Sequence, residues 1–199
     1  MPLLAEKIRE QFRRYSCNKL TLSAGIHIAE HDFPIHRGAI IAGDAEEKAK
    51  SFNSNGSSAP EKDAICFLDR PVRWETFSAL KEIAYTLVSG MEHKNIPKSL
   101  LTRLNSINSS YKDSKKKLSK NKTLSKQQIL QLAAYERWRW LSVYALGRFK
   151  KNNKEFVDEI EKIQELLAKD RWKEKTVPEA PDIIDMPVRW AELLTRKEE

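Results

Sequence analysis

The chain has 199 residues, 36 Lys and Arg against 28 Asp and Glu, and a formal net charge of +8; hydrophobic residues make up 40% of it, which excludes wholesale disorder. No apolar run approaches the roughly 20 residues of a membrane span, and Glu6 interrupts any secretory leader. The two cysteines, Cys17 and Cys66, form no CxxC and no disulfide framework, so the sequence reads as cytoplasmic, with an anionic partner such as nucleic acid.

Residues 3–16 predict an amphipathic helix, with Leu4, Ile8 and Phe12 on one face and Glu6, Lys7, Arg9, Glu10, Arg13 and Arg14 on the others. Residues 19–29 alternate apolar and other side chains and predict a strand, with Gly25 inside it marking a bulge or a close approach. His31-Asp32-Phe33-Pro34 is a turn, and Pro34 or Ile35 opens a helix to about Phe52. Residues 53–63 are loop chemistry, and Ala64-Ile65-Cys66-Phe67-Leu68 predicts a short buried strand.

No further strand is predicted after Pro71. Trp74, Phe77, Leu80, Ala84, Leu87, Val88 and Met91 keep a helical period, and Leu100, Leu101, Leu104, Ile107 and Tyr111 carry the next helix. Ser125-Lys126-Gln127-Gln128 has the form of a capping box. It opens a helix through Phe149 that is apolar nearly all round and is expected to be the central one, with Tyr135, Trp138, Trp140 and Tyr144 in the core. Asn153 caps a helix carrying Phe156, Ile160, Ile163 and Leu167, and a last helix carries Val188, Trp190, Leu193 and Leu194. The expected class is α+β, with residues 1–70 as an α-β-α-β unit and 71–199 as an α-helical bundle.

Two strands do not make a stable sheet on their own, so the front unit needs strands from elsewhere. Its motifs stand in a recognisable order: an amphipathic helix from Leu3 to Tyr15, Thr21-Leu22-Ser23-Ala24-Gly25-Ile26, a helix ending Lys48-Ala49-Lys50, and Ala64-Ile65-Cys66-Phe67. This order resembles the palm shared by GGDEF-type diguanylate cyclases and the large signature subunit of type III CRISPR effector complexes. Ser-Ala-Gly-Ile at 23–26, Phe33-Pro34-Ile35, Arg73-Trp74-Glu75 and the closing Val188-Arg189-Trp190 segment favour similarity to the CRISPR subunit.

The resemblance implies the second half of a ferredoxin-like cyclase palm followed by a C-terminal helical domain, in a family that makes cyclic oligoadenylates from ATP. It implies ATP and Mg2+ or Mn2+ as cofactors, with the metal ligands outside this chain, because the Gly-Gly-Asp-Asp motif of the family does not occur in it; nor does its His-Asp nuclease motif, His31-Asp32 being read as part of a turn. It also implies as partners the rest of the large subunit with the missing strands, the small helical subunit, guide RNA and target RNA. Two other readings stay open: a non-catalytic scaffold from a split or degenerate large subunit, and a free-standing RNA-binding helical protein.

The candidate site residues follow. Ser23 and Gly25 would line the nucleotide pocket, or pack against a helix. Lys50 would reach the triphosphate as a compact cation, or simply favour its helix C-terminus. Lys115, Lys116 and Lys117 lie in a run from Lys112 to Lys126 opposed only by Asp113, readable as an RNA-facing patch or a solvated link. Arg137 and Arg139 are candidates for a partner or RNA. His27, His31 and His36 fall on a strand, a turn and a helix that share no face, so no metal site is expected.

Overall fold

The computed structural model describes residues 2–52, 62–93, 96–119, 137–152, 154–168 and 180–196. The chain divides into two units, Met1–Ala79 and Leu80–Glu199.

The first unit holds α1 (Pro2–Tyr15), β1 (Ala24–Ile26), α2 (Ile35–Ser51), β2 (Ala64–Phe67), β3 (Arg70–Arg73) and the opening of α3 (Trp74–His93). The sheet order is β1-β2-β3. β1 pairs with β2 in parallel, Gly25 opposite Cys66, and α2 makes the crossover between them. β2 is buried along its whole length. Its Ala64 and Cys66 meet Ala45 and Ala49 of α2, with Phe52 against the cluster. The alternate residue Phe67 turns to the other face and meets Phe77 edge-on at 6.0 Å, and Phe77 meets Trp74 in the same way.

The strand β3 and the first turns of α3 join this unit, so the division lies later than the one at residue 70 read from composition. The expectation of no further strand here is corrected by β3, which contains Pro71. In the antiparallel register Phe67 opposes Arg70 and Cys66 opposes Pro71 across a two-residue turn. Antiparallel pairs alternate between hydrogen-bonded and non-bonded, so with Phe67 and Arg70 closing the turn, Pro71 falls in a non-bonded pair. Its missing N–H therefore costs no ladder bond, and β3 is an edge strand, where proline is tolerated.

The turn itself is Leu68-Asp69, with φ of 51° and 62°. Both central residues lie in the left-handed region that a primed hairpin turn demands, although neither is glycine or asparagine. Helix α1 ends on a related device: Asn18 N–H donates to the Arg13 carbonyl (2.8 Å) and Cys17 N–H to the Arg14 carbonyl (3.2 Å), with Cys17 at φ 50°. This is the Schellman arrangement, usually built on glycine.

A three-way contact fixes α1. The Arg9 guanidinium forms a bidentate pair with Asp63, its Nη2 at 2.7 Å and Nε at 3.2 Å, reaches Glu75 at 3.3 Å, and lies 5.3 Å from the Trp74 ring centre. Trp74 Nε1 in turn donates to the Leu22 carbonyl at 2.8 Å, just before β1. The side of α1 facing this chain is thus the Arg9 side. Leu4 and Ile8, the predicted apolar face, are 51% and 52% exposed, and α1 has no buried residue.

In the second unit, α4 (Ser99–Ser119) packs against α5 (Arg137–Asn152), α7 (Ala180–Ile183) and α8 (Asp185–Leu194), while α6 (Val157–Ala168) follows a 3-10 turn and packs on α5 and α7. Leu100, Leu104, Ile107 and Tyr111 of α4 are buried. Asn108 Nδ2 donates to the Asp182 carbonyl at 3.1 Å, and Lys112 pairs with Asp185 at 2.8 Å. Tyr85 of α3 meets Trp190 of α8 at 6.1 Å. The expectation of a central helix ending near Phe149 is corrected: among the described residues α4 takes that place. Helix α5 buries Ser142, Leu146 and Phe149, but leaves Trp140 75%, Val143 61% and Tyr144 67% exposed. The capping box at 125–128, Tyr135 and Asn153 lie outside the described residues.

The turn at Leu68-Asp69 yields a stability prediction. Replacing it with Asn-Gly (Leu68→Asn with Asp69→Gly) relieves the left-handed conformation of Leu68, worth about 1 kcal/mol or more for an ordinary L-residue, and a smaller strain at Asp69, a residue type that tolerates it. The Lys48–Asp69 pair lost with it is exposed and worth less. The double variant should show a higher denaturant midpoint for the first unit, followed by hydrogen exchange in β2 and β3; a lower midpoint would refute the strain argument.

Candidate functional site

The site is built on β1 and α2. Alternation along β1 puts Ser23, Gly25 and His27 on one face, the face that α2 covers. Gly25 is the point of contact: a Cβ there would lie 2.3 Å from Glu46 N, 2.5 Å from the Ala42 carbonyl oxygen and 2.8 Å from the Ala45 carbonyl carbon. These are backbone atoms of α2 and cannot swing aside. The strand glycine therefore marks a close approach, and what approaches is the helix.

Either side of Gly25 lies a polar side chain without a mate. Ser23 Oγ and His27 Nε2 are both out of contact with solvent and have no hydrogen-bond partner among the described residues. An orphaned hydroxyl forgoes a bond that buried polar groups normally make. His27 tilts against Phe33, ring centres 5.5 Å apart. Beyond them an open cavity of about 480 Å³ is lined by His27, Glu30, His31, Phe33, Pro34 and the first turns of α2 at Ile35, Gly38, Ala39 and Ala42.

Lys50 lies at the C-terminal end of α2, where its Nζ pairs with Glu46 one turn back at 2.9 Å. That hydrogen bond raises its pKa above the ordinary lysine value, so it is cationic at neutral pH. Lys48 is raised likewise by its bond to Asp69 at the hairpin turn, 2.5 Å away. Both pairs are solvent-exposed. Between them in the buried layer, burial pushes the Cys66 thiol up.

The remaining candidates lie in the second unit. Lys115, Lys116 and Lys117 fall on the last turns of α4, not in a link, because that helix continues past Tyr111 to Ser119. Lys116 is exposed. Arg137 and Arg139 lie on the first turn of α5. Lys120, Lys122 and Lys126 are outside the described residues. Of the three clustered histidines, His27 is half-buried, His31 pairs with Asp32 at 2.9 Å on the surface, and His36 is exposed. Among the described residues no three His, Cys, Asp or Glu side chains are grouped as metal ligands would be, and no helix is long and apolar enough to cross a membrane. The residues present therefore do not fit a metal centre. The orphaned Ser23 hydroxyl and the cationic Lys50 do fit a nucleotide's hydrogen-bonding groups and phosphates.

A parallel β-α-β crossover followed by a hairpin, with the outer edge of its first strand open among the described residues, is a small α+β unit. Residues 2–66 match the family model described as Cas10/Cmr2, second palm domain. The match covers a third of the chain and supports a fragment of a Cas10-type type III CRISPR large subunit. No curated protein and no solved structure matches the chain.

Sequence reasoning missed His27 as a companion to Ser23. The signal was present in the alternation Ser23, Gly25, His27, but the histidine was weighed with His31 and His36 as a possible metal group and not with its strand neighbours.

Gly25→Ala tests the seam. Overpacking in a core costs about 1–3 kcal/mol when side chains can give, and here backbone must move. The variant should lose exchange protection in β1, α2 and β2 while α4 and α8 keep theirs. A fully protected first unit would show that α2 can shift away at little cost.

Proposed function

We propose that this chain is the C-terminal part of a type III CRISPR large subunit. Its first unit completes a cyclase-like palm that binds ATP for cyclic oligoadenylate synthesis, and its helical domain, a bundle, docks on the small subunits and on guide and target RNA. The family match over residues 2–66 supports the assignment. The observation that carries the completion is the unfinished first unit. Among the described residues nothing pairs with the outer edge of β1, and Leu4 and Ile8 of α1 and Ile40 of α2 are more than half exposed. An open strand edge beside uncovered apolar helix faces asks for further strands and a further core.

In this reading the metal-binding aspartates come with those strands, from preceding sequence or from a separate chain. Mg2+ or Mn2+ held there would supply charge neutralisation at the phosphates. This chain's own part is to bind and orient: Ser23 Oγ offers a hydrogen bond from beneath α2, Gly25 lets α2 close over it, and Lys50 exchanges Glu46 for a phosphate. A second reading, a scaffold whose palm no longer binds ATP, draws on one observation. Lys50 already has its counter-charge in Glu46.

Two outcomes are expected. Hydrogen exchange on this chain alone should protect α4 and α8 strongly and residues 19–28 weakly, and adding a chain that carries the Gly-Gly-Asp-Asp half of the palm should raise protection at 19–28. Strong protection at 19–28 without that partner overturns the split palm. In the reconstituted complex Lys50→Ala should weaken ATP binding roughly ten- to hundredfold, since a charge-assisted contact is worth about 1.5–3 kcal/mol. Ser23→Ala should also weaken it while leaving the melting temperature unchanged or higher, because it removes an orphaned hydroxyl. ATP affinity unchanged in both variants favours the scaffold.

A further inference from the structure

We infer that α5 is a stacking platform for single-stranded RNA. This extends the reading that the helical domain meets RNA to a particular surface and a particular form of RNA. Across its sixteen residues, Arg137-Trp-Arg-Trp-Leu-Ser-Val-Tyr-Ala-Leu-Gly-Arg-Phe-Lys-Lys-Asn152, the helix carries five Lys or Arg and no Asp or Glu.

The helix is also turned the unusual way round. Its buried side is Ser142, Leu146 and Phe149, while Trp140 is 75% and Tyr144 67% exposed. Large aromatic side chains are ordinarily the first to be buried. At 100° per residue, Trp140, Tyr144, Gly147 and Lys151 share one face, with Arg148 beside them. The two rings stand one turn apart, about 6 Å along the axis.

Gly147 completes the surface. Among the described residues a Cβ there would meet nothing within 4 Å, so no packing against them requires glycine at a mid-helix position that disfavours it. Its effect is to lower the wall between Tyr144 and Lys151, where a sugar-phosphate chain leaving the rings would pass. The cations Arg148 and Lys151, both exposed, lie where that chain's phosphates would follow.

The chemistry selects the partner. Flat exposed rings one turn apart accept the faces of unpaired bases, whatever their identity, and cations on the same face neutralise the backbone. A duplex hides its base faces and offers only phosphates and groove edges. The expected ligand is therefore unpaired RNA with little sequence preference.

The test uses the full chain and labelled oligouridine and oligoadenosine of about twelve nucleotides, within the range such sites occupy, with an RNA duplex of equal charge alongside. Fluorescence anisotropy should show both single strands bound more tightly than the duplex. Trp140→Leu and Tyr144→Leu should each lower single-strand affinity about five- to hundredfold, the range for loss of one stacked base. The salt dependence should stay the same, and Trp140→Phe should retain most of the binding. Arg148→Gln with Lys151→Gln should lower affinity for single strand and duplex alike and flatten the salt dependence by about one unit per lost phosphate contact. All four positions are exposed, and circular dichroism checks that helicity is kept. If the leucine variants bind single strands as the parent does while the glutamine variants lose affinity, the helix meets phosphates only; the stacking platform is overturned and RNA docking survives. If no variant changes RNA binding, or if oligoglutamate competes as well as oligouridine at equal charge, α5 is not an RNA surface and the inference falls.

Discussion

The first unit depends on two backbones coming together. Gly25 has no side chain, and α2 passes over it so closely that even a methyl group would collide with three backbone atoms. Ala45 and Ala49 on the helix, with Ala64 and Cys66 on the next strand, continue the same seam of small residues. Close approach on one line fixes the rest. It draws the Ser23 hydroxyl and the His27 ring under the helix, where neither finds a partner. It puts the start of α2 beside Phe33 to form the cavity, and it sends the far end of α2 out over the hairpin, where Lys48 meets Asp69. A larger residue at the seam would relocate every one of these groups.

Helix α1 shows the opposite economy of surface. Its polar side is the one engaged, through Arg9 to Asp63, Glu75 and Trp74, and its apolar side faces out. The Arg9–Asp63 pair is partly buried, 12% and 26% exposed, and bidentate, so it exceeds the typical surface pair of about 0–1 kcal/mol. Full burial of a Leu or Ile side chain is worth about 1.5–3 kcal/mol. Leu4, Ile8 and Ile40, each about half exposed or more, have roughly half of that still to gain from a cover.

How much of this could be read from the sequence depends on the range of the interaction. Local signals were legible. Alternation over 19–29 marked β1 but overran it, since only Ala24–Ile26 pairs as strand; the Phe33-Pro34-Ile35 turn marked the start of α2, and the oddness of Gly25 marked a close approach. The hairpin was not legible, because Pro71 reads as a breaker until the register shows that its nitrogen faces away from β2, and because Leu68, which takes a positive φ beside Asp69, is not a residue that favours one. The central helix of the second unit was misjudged for a different reason. Trp140, Val143 and Tyr144 have the composition of a core, and composition does not say whether a core is there to receive them. What distinguishes α4 is which of its apolar residues meet other helices, and that is a property of the fold.

The three palm residues singled out from the sequence differ in what they can do. Gly25 has its open side filled by α2, so it acts through packing, and a ligand would feel it only through the position of the helix. Lys50 is held by Glu46, but an exposed i,i+4 pair is worth only about 0.3–0.5 kcal/mol. A triphosphate carries several charges and would displace Glu46 at small cost, so the pair lends the scaffold reading only a few tenths of a kcal/mol. Ser23 is the most demanding of the three. Its hydroxyl is withdrawn from solvent and unpaired, and a site that served only packing would be better filled by alanine, as positions 45, 49 and 64 are. The hydroxyl makes chemical sense where something outside this chain completes its hydrogen bond, as the proposed nucleotide role of β1 would have it.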